Sequence, residues 1–326
     1  MRTGTLKSDT LLLLAAVVWG FAFVAQRVGM DYVGPFTFNA VRFALGALVL
    51  VPFVVAGRKA SSENSENRGH GTTESCFSSD ALPGTPANEA DVGTSGGIRQ
   101  FRSPPSILAV LAGLVLFAGA SLQQIGIVYT TAGKAGFITG LYVILVPILG
   151  LLWKQRPGWG TWVGVAAATA GLYLLSAAEG LTLAPGDSLV LASAVFWAVH
   201  VLMIGWLSPR SNPLRIAAIQ FATCSILSWI AAIAVEEIAL AGILGAAIPI
   251  LYGGVLSVGL AYTLQVVAQR KAPAAHAAII LSLETVFAAV GGWLVLGEVL
   301  TQRALLGCAL MLAGILVSRL SRRSEV

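Results

Sequence analysis

The chain alternates between long apolar runs and short polar segments. Most runs are about 20 residues long, which is the length an α-helix needs to cross the hydrocarbon core of a bilayer. Open strand edges cannot satisfy their hydrogen bonds in lipid, so the pattern predicts an all-α integral membrane protein with ten transmembrane helices. The ten runs are 11–30, 36–55, 106–127, 135–153, 161–178, 187–207, 214–235, 244–267, 273–296 and 304–321.

The basic residues indicate how these helices are oriented. Placing the amino terminus in the cytoplasm puts sixteen Lys and Arg residues in the inside segments and three in the outside segments, with Arg42 within a helix. Cytoplasmic segments of membrane proteins carry such an excess of basic residues. The pattern predicts a multi-pass protein of the plasma (inner) membrane with both termini in the cytoplasm.

The composition agrees with lipid as the main solvent. Hydrophobic residues make up 56% of the chain and charged residues 11%, against roughly 25% charged residues in soluble domains. The net charge of +5 does not indicate nucleic-acid binding, because the basic residues flank apolar runs and form no single patch. The three cysteines are far apart and form no metal-binding or disulfide pattern, so we predict no metal and no other cofactor.

The two halves of the chain resemble each other. An offset of 178 applies to the first two helices of each half and pairs Trp19 with Trp197. An offset of 142 applies farther along and pairs Gln123 with Gln265. Because five is an odd number, the second repeat must lie upside down, which predicts two inverted five-helix repeats. Such repeats recur in transporters, with the substrate near the midplane at their interface. At an offset of 143 the paired residues are Gly164 with Gly307 and Gly171 with Gly314.

The drop in offset means that the first half carries additional residues. They lie in segment 57–105, which is rich in Ser, Glu, Gly and Asn. Such a segment cannot bury enough apolar surface to fold, so we predict a disordered cytoplasmic loop. The predicted organisation is 1–56 with helices 1 and 2, the loop 57–105, 106–178 with helices 3 to 5, and 187–321 with the second repeat.

Two stretches resemble EamA-type members of the drug/metabolite transporter superfamily. They are Leu281–Glu298, with the sequence LSLETVFAAVGGWLVLGE, and Phe137–Pro147, with the sequence FITGLYVILVP. The resemblance extends over essentially the whole chain except 57–105. It implies ten helices, cytoplasmic termini and the movement of metabolites, often the export of amino acids or similar compounds. Thr285 stands where the family commonly has Pro, so the resemblance does not decide whether the helix is kinked at this point.

Ionisable groups inside a membrane are costly and are functional candidates by default. Glu284 lies about 11 residues into its helix, roughly 16 Å deep, and its repeat partner is Tyr142. A carboxyl group in a medium of low dielectric favours its neutral form, so it can take up and release a proton. We predict proton coupling or binding of a substrate amine at Glu284. The alternative is a neutral carboxyl group in a hydrogen bond between helices.

Two other ionisable residues have structural alternatives. Arg42 could bind a substrate carboxylate with its planar guanidinium. Snorkelling to the outer headgroups, or a pair with a carbonyl group, is the interpretation that its depth favours. Its repeat partner, Gln220, carries no charge. His200 could relay protons, but a single histidine without an evident partner favours a structural role.

Uncharged residues complete the candidate set. Trp19 and Trp197 lie deeper than an aromatic belt requires, so they could line a cavity or simply pack. Polar side chains in lipid need partners and could line a pathway or join helices. The candidate substrate-binding residues are Glu284, Tyr142, Arg42, Trp19, Trp197, Gln123, Gln265 and Tyr262, and the candidates for proton coupling are Glu284 and His200.

These observations predict a secondary transporter that moves a small metabolite, amino-acid-like or drug-like, by alternating access, with proton-coupled export as one form. No P-loop is present, so ATP is not the expected energy source. A lipid-modifying enzyme would need clustered His, Asp or Cys, and none of the three histidines shares a motif with an acid; we predict no enzymatic activity. A channel or a non-transporting membrane scaffold stays open, because a fold does not fix function.

Overall fold

The computed structural model describes residues 2–70, 105–176, 185–297 and 301–324. Within these ranges the chain is helical, with short connections and no strand. Eight of the helices are long and apolar enough to cross a membrane, judged by length and composition. The prediction of an all-α, multi-pass membrane protein is confirmed.

We number the helices along the chain and count segments that continue one another as one helix. A short helix, Leu240–Gly245, precedes the eighth. The bounds are α1 Arg2–Gly29, α2 Pro35–His70, α3 Pro105–Val128, α4 Ala132–Leu152, α5 Trp159–Ser176, α6 Pro185–Leu207, α7 Pro213–Val235, α8 Ala247–Ala268, α9 Ala274–Val295 and α10 Gln302–Ser324.

Each predicted apolar run coincides with one of these helices, and two of the ends differ by more than three residues. The helix α1 begins at Arg2, ahead of the predicted residue 11. The helix α2 continues beyond residue 55 to His70, so the first part of segment 57–105 is helical. The remainder of the predicted loop, 71–104, lies outside the described residues.

Three helices are composite. The helix α4 consists of Ala132–Gly140 and Tyr142–Leu152. The helix α8 contains a π-helical stretch, Tyr252–Tyr262, between two α-helical ends. The segments of α9 are Ala274–Leu281, Glu284–Gly291 and a final π-helical turn, Gly292–Leu296. Interruptions of this kind inside a helix often mark functional positions.

Glycines bring α5 and α10 into backbone contact. A Cβ atom added at Gly164 would lie 2.8 Å from the carbonyl oxygen of Gly314, and one added at Gly171 would lie 2.5 Å from that of Gly307. Small residues allow such close approach, and the resulting van der Waals contact stabilises helix pairs in lipid. These two helices therefore form one tightly packed unit.

The outer surface and the interior differ as a bilayer requires. Large apolar side chains such as Leu48, Ile233 and Ile248 are exposed, which fits contact with lipid chains. The largest apolar cluster lies inside and includes Phe43 and Phe221. The polar cavity described below lies beside this cluster.

A carboxylate fixes the start of α2. Glu236, just after α7, accepts hydrogen bonds from the backbone N–H groups of Phe36 and Thr37 at 2.7 and 2.8 Å. Gly34 leaves room for it, because a Cβ atom there would overlap the Glu236 carboxyl group. Negative charge at a helix amino terminus is stabilising, so this contact ties α2 to α7.

Candidate substrate cavity

A polar cavity lies among helices α1, α2, α3, α4, α6, α8 and α9. Its volume is about 40 Å³, and one water molecule needs roughly 10–15 Å³ of such space. The cavity thus has room for a few water molecules. All nine candidate residues line it. The lining residues are Trp19, Ala22, Phe23, Gln26, Arg42, Gln123, Thr139, Tyr142, Trp197, His200, Val201, Ser257, Tyr262, Gln265, Leu281 and Glu284.

Tyr142 and Glu284 lie directly after interruptions in α4 and α9, and both side chains line the cavity. Leu141 has φ −61° and ψ −14°, and Leu283 has φ −62° and ψ −12°. At both residues the backbone N–H bonds to the carbonyl three residues earlier, at 3.2 Å. The break in α9 therefore occurs without a proline; the Thr285 hydroxyl instead donates to the Ser282 carbonyl oxygen at 2.7 Å.

Glu284 is buried and faces Tyr142. The Glu284 side chain is 5% exposed. Neither its Oε1 atom nor the Tyr142 hydroxyl has a hydrogen-bond partner of normal geometry in the described part of the chain. An unpaired polar atom in a buried site costs about 1–3 kcal/mol. The pair is therefore available for a ligand, water or proton.

Arg42 does not snorkel to the membrane surface. It is 3% exposed, its guanidinium lies 5.4 Å from the Phe38 ring centre and 5.1 Å from that of Phe43, and it lines the cavity. The predicted snorkelling is wrong, because packing against α8 encloses the side chain, whereas a pair with a carbonyl group stays a prediction. No carboxylate of residues 2–70, 105–176, 185–297 or 301–324 is within 4.0 Å of it.

His200 has a partner that the sequence did not reveal. Its Nε2 lies 2.8 Å from Oε1 of Gln220, the residue that corresponds to Arg42 in the repeat. His200 is fully enclosed, at 1% exposure, and its ring also meets Trp197 edge-on at 6.2 Å. The structure thus places His200 in the cavity wall, held by an amide.

Aromatic rings form one wall around Tyr262. The ring of Trp19 lies 4.5 Å from that of Tyr262, and the ring of Trp197 lies 6.1 Å from it. The indole N–H of Trp19 donates to the Ser257 carbonyl oxygen at 3.2 Å. Paired rings with satisfied N–H groups are rigid surfaces suited to an apolar or cationic part of a solute.

A glutamine network forms another part of the cavity lining, next to Trp197. Oε1 of Gln123 accepts from the Trp197 indole at 2.8 Å, and its Nε2 donates to Oε1 of Gln26 at 3.2 Å. Gln265 is also buried, and its Oε1 has no partner among the residues described. Gln26 was missed by sequence reasoning, although it lies seven residues after Trp19 and so on the same helix face.

Sequence reasoning also missed two buried ion pairs. His276 Nε2 lies 3.1 Å from Asp9 Oδ1, and Lys134 Nζ lies 2.6 Å from Asp187 Oδ2. None of the histidines shares a sequence motif with an acid, yet the fold brings His276 into contact with Asp9. Asp9 and His276 are too far apart in the chain for a local motif to reveal the contact.

A bundle of apolar helices around a polar internal cavity is the arrangement of a membrane transporter. The model of the EamA-like transporter family matches residues 6–72, 92–177 and 184–320. The chain belongs to this family.

Individual relatives agree with this assignment. An "uncharacterized transporter" of Archaeoglobus fulgidus is 30% identical over 316 residues, covering 96% of this chain and 85% of the relative. A second protein with the same description, from the same organism, is 22% identical over 318 residues, covering 96% and 98%. A solved crystal structure of a protein superposes with a TM-score of 0.71 at 17% identity, over 98% of this chain and 99% of the other. This last similarity concerns the fold alone.

Proposed function

We propose that the protein is a secondary transporter that carries a small solute through the central cavity by alternating access. The observation that carries the proposal is a small internal cavity whose lining includes Nε of Arg42 and Oε1 of Glu284, two buried atoms that have no hydrogen-bond partner in the described part of the chain. Family membership supports transport as the class of activity.

Contacts between the halves support ten membrane-spanning helices in two inverted repeats. In the proposed repeat, Gly164 corresponds to Gly307 and Gly171 to Gly314. The contact between Gly164 and Gly314 then requires an equivalent contact between Gly171 and Gly307. Both contacts are present. A two-fold relation between α5 and α10 produces this exchange. The two helices would then be the fifth of each repeat.

A second set of contacts supports the same relation. A Cβ atom added at Gly113 would lie 3.0 Å from the Gln220 carbonyl oxygen, and one added at Gly254 would lie 3.1 Å from that of Arg42. Arg42 and Gln220 differ by the offset of 178. The packing of α3 on α7 thus has its counterpart in the packing of α8 on α2.

The charges of the cavity suggest the kind of solute. Arg42 offers a guanidinium for a carboxylate or other anionic group, and Glu284 offers a carboxyl group for an amine. The rings around Tyr262 suit an apolar part. We therefore propose an amino-acid-like or similar amphipathic metabolite. The cavity is too small for such a metabolite and must widen to admit it.

Glu284 is the proposed proton-coupling residue, and His200, which lines the same cavity, is the second candidate. In this cycle the carboxyl group holds a proton or the solute, and exchange of one for the other drives movement against a gradient. The proposed location is the plasma membrane, with both termini in the cytoplasm.

The test is transport into liposomes with an imposed pH gradient, using a panel of amino acids, nucleosides and cationic drugs. We expect saturable counterflow with the wild type. Glu284→Gln keeps the size of the side chain but cannot take up or release a proton, so accumulation of solute driven by the pH gradient should be lost.

Glu237→Gln, in the exposed segment after α7, is the matched control and should transport normally. Accumulation by Glu284→Gln that still responds to pH would reject proton coupling at this residue. Flux in the wild type that does not saturate and shows no counterflow would indicate a channel.

A further inference from the structure

The two buried ion pairs outside the cavity are related by the repeat. One joins Asp9 to His276 and the other joins Asp187 to Lys134. Asp187 follows Asp9 by 178 residues, and His276 follows Lys134 by 142 residues. These are the two offsets that relate the halves of the chain. The pairs therefore occupy equivalent places in the two halves.

Each pair joins the first helix of one half to the fourth helix of the other. Asp9 on α1 meets His276 on α9, and Asp187 on α6 meets Lys134 on α4. A further element supports each pair. The Thr130 hydroxyl, after α3, donates to Asp187 Oδ1 at 2.8 Å, and the Ser318 hydroxyl of α10 lies 3.2 Å from Nδ1 of His276.

Both pairs lie at similar distances from the cavity along their helices. Trp19 is ten residues beyond Asp9, which corresponds to about 15 Å of helix. Glu284 is eight residues beyond His276, or about 12 Å. The same spacings separate Trp197 from Asp187 and Tyr142 from Lys134. Because five helices separate Asp9 from Asp187, the two pairs lie on opposite sides of the cavity in the proposed topology.

We infer that the two ion pairs are the gates of the transport cycle. The inference rests on the proposed alternating-access function. Asp9–His276 closes the side on which α1 begins, here called the amino-terminal side, and Asp187–Lys134 closes the opposite side. Both pairs are formed in this structure, which agrees with the small volume of the cavity between them.

The chemistry of burial explains how such a gate works. Asp187 is 2% exposed and His276 is 1% exposed. Replacing one side chain of a buried contact weakens that contact, which is unfavourable in a site shielded from water. Hydration of the other side chain when its helix moves away then favours opening of that side of the cavity. A transporter needs only one pair to separate at a time, and the shared geometry allows either pair to do so.

A single cysteine in the cavity tests the inference. Ala22 lines the cavity and is 1% exposed. Ala22→Cys would be made in a full-length chain whose own cysteines, Cys76, Cys224 and Cys308, are replaced by serine or alanine. Labelling by a membrane-impermeant maleimide is then timed from each side, in vesicles of the two orientations.

We expect Asp187→Asn to raise the labelling rate from the side opposite the amino terminus by about tenfold and to leave or lower the rate from the amino-terminal side. Asp9→Asn should give the reverse. Asp31→Asn is the matched control, because Asp31 pairs with Arg27 in an exposed contact at the end of α1. This control should leave both rates unchanged.

Equal acceleration from both sides, or rates like those of the control, would overturn the gate assignment and leave the pairs as structural contacts. If an aspartate variant does not reach the membrane, Lys134→Gln and His276→Gln carry the same expectations for their sides. Failure of the proposed function gives a different result, since a channel carrying Ala22→Cys alone would already label the introduced thiol from both sides at once.

Discussion

At the scale of single residues, several side chains of the cavity lining carry buried polar atoms that have no hydrogen-bond partner among the residues that the structure describes. These atoms include Nε of Arg42, Nδ1 of His200, Oε1 of Gln265 and Oε1 of Glu284. Each costs about 1–3 kcal/mol when nothing bonds to it. A solute that supplies the missing partners recovers this free energy, so these atoms should determine affinity.

Arg42 provides a test at this scale. The packing of the repeat accepts glutamine at the equivalent position, so Arg42→Gln should fold. It removes the positive charge, and the KM for a solute with an anionic group should rise about tenfold or more. Counterflow kinetics measure this change. Arg303→Gln is the matched control, because the Arg303 guanidinium also lies over a ring, that of Tyr173, outside the cavity. A KM unchanged in Arg42→Gln would remove Arg42 from the binding site.

The sequence repeat and the polarity of single residues predicted nine of the residues that line the cavity. They were not enough to find how Arg42 is oriented, because depth in a membrane does not tell which side of a helix faces the protein. Asp9 and Asp187 lie near the ends of apolar runs, where charged residues are common and give no signal. Only the fold brings them to His276 and Lys134.

At the scale of helices, glycine spacing decides which pairs pack closely. Gly171→Ala should lower the free energy of unfolding by about 1–3 kcal/mol. The added methyl group would lie 2.5 Å from a backbone oxygen of α10, and this clash outweighs the gain of up to about 1 kcal/mol in helix propensity. Thermal unfolding in detergent measures the effect. Ala170→Val, on the exposed face of α5, is the control and should change stability little; equal stability of both variants would contradict the packing argument.

Helix positions follow closely from the apolar pattern, whereas interruptions within helices do not. The breaks before Tyr142 and Glu284 have nearly identical dihedral angles but different local sequences. The α9 break has Thr285 in place of the family's usual proline, and a side-chain hydroxyl supplies the local bond instead. Hydrophobic periodicity contains no information on such a change.

At the scale of the whole molecule, the two halves differ most in the connection between their second and third helices. Only a short segment separates α7 from Leu240, the start of the short helix before α8, so the architecture does not require a long connection. We expect deletion of 62–98, which removes the last helical residues of α2 and part of the segment that follows, to leave transport within about twofold of wild type, since added length between two helices costs little stability. Uptake per inserted molecule in liposomes measures this. A well-inserted deletion variant without activity would assign the segment a necessary role.

The π-helical stretch of α8 has a consequence for movement. In the proposed repeat, Gly254 corresponds to Gly113 at an offset of 141 and Gln265 to Gln123 at an offset of 142, so the stretch Tyr252–Tyr262 would hold one residue more than its counterpart in α3. One residue corresponds to about 100° of helical rotation and 1.5 Å of rise. If the π-helical turns shift along α8, the residues that they pass rotate, Ser257 and Tyr262 among them. Both ends of the helix stay in place. The cavity wall can be rearranged by torsion within one helix, without any rigid-body tilt.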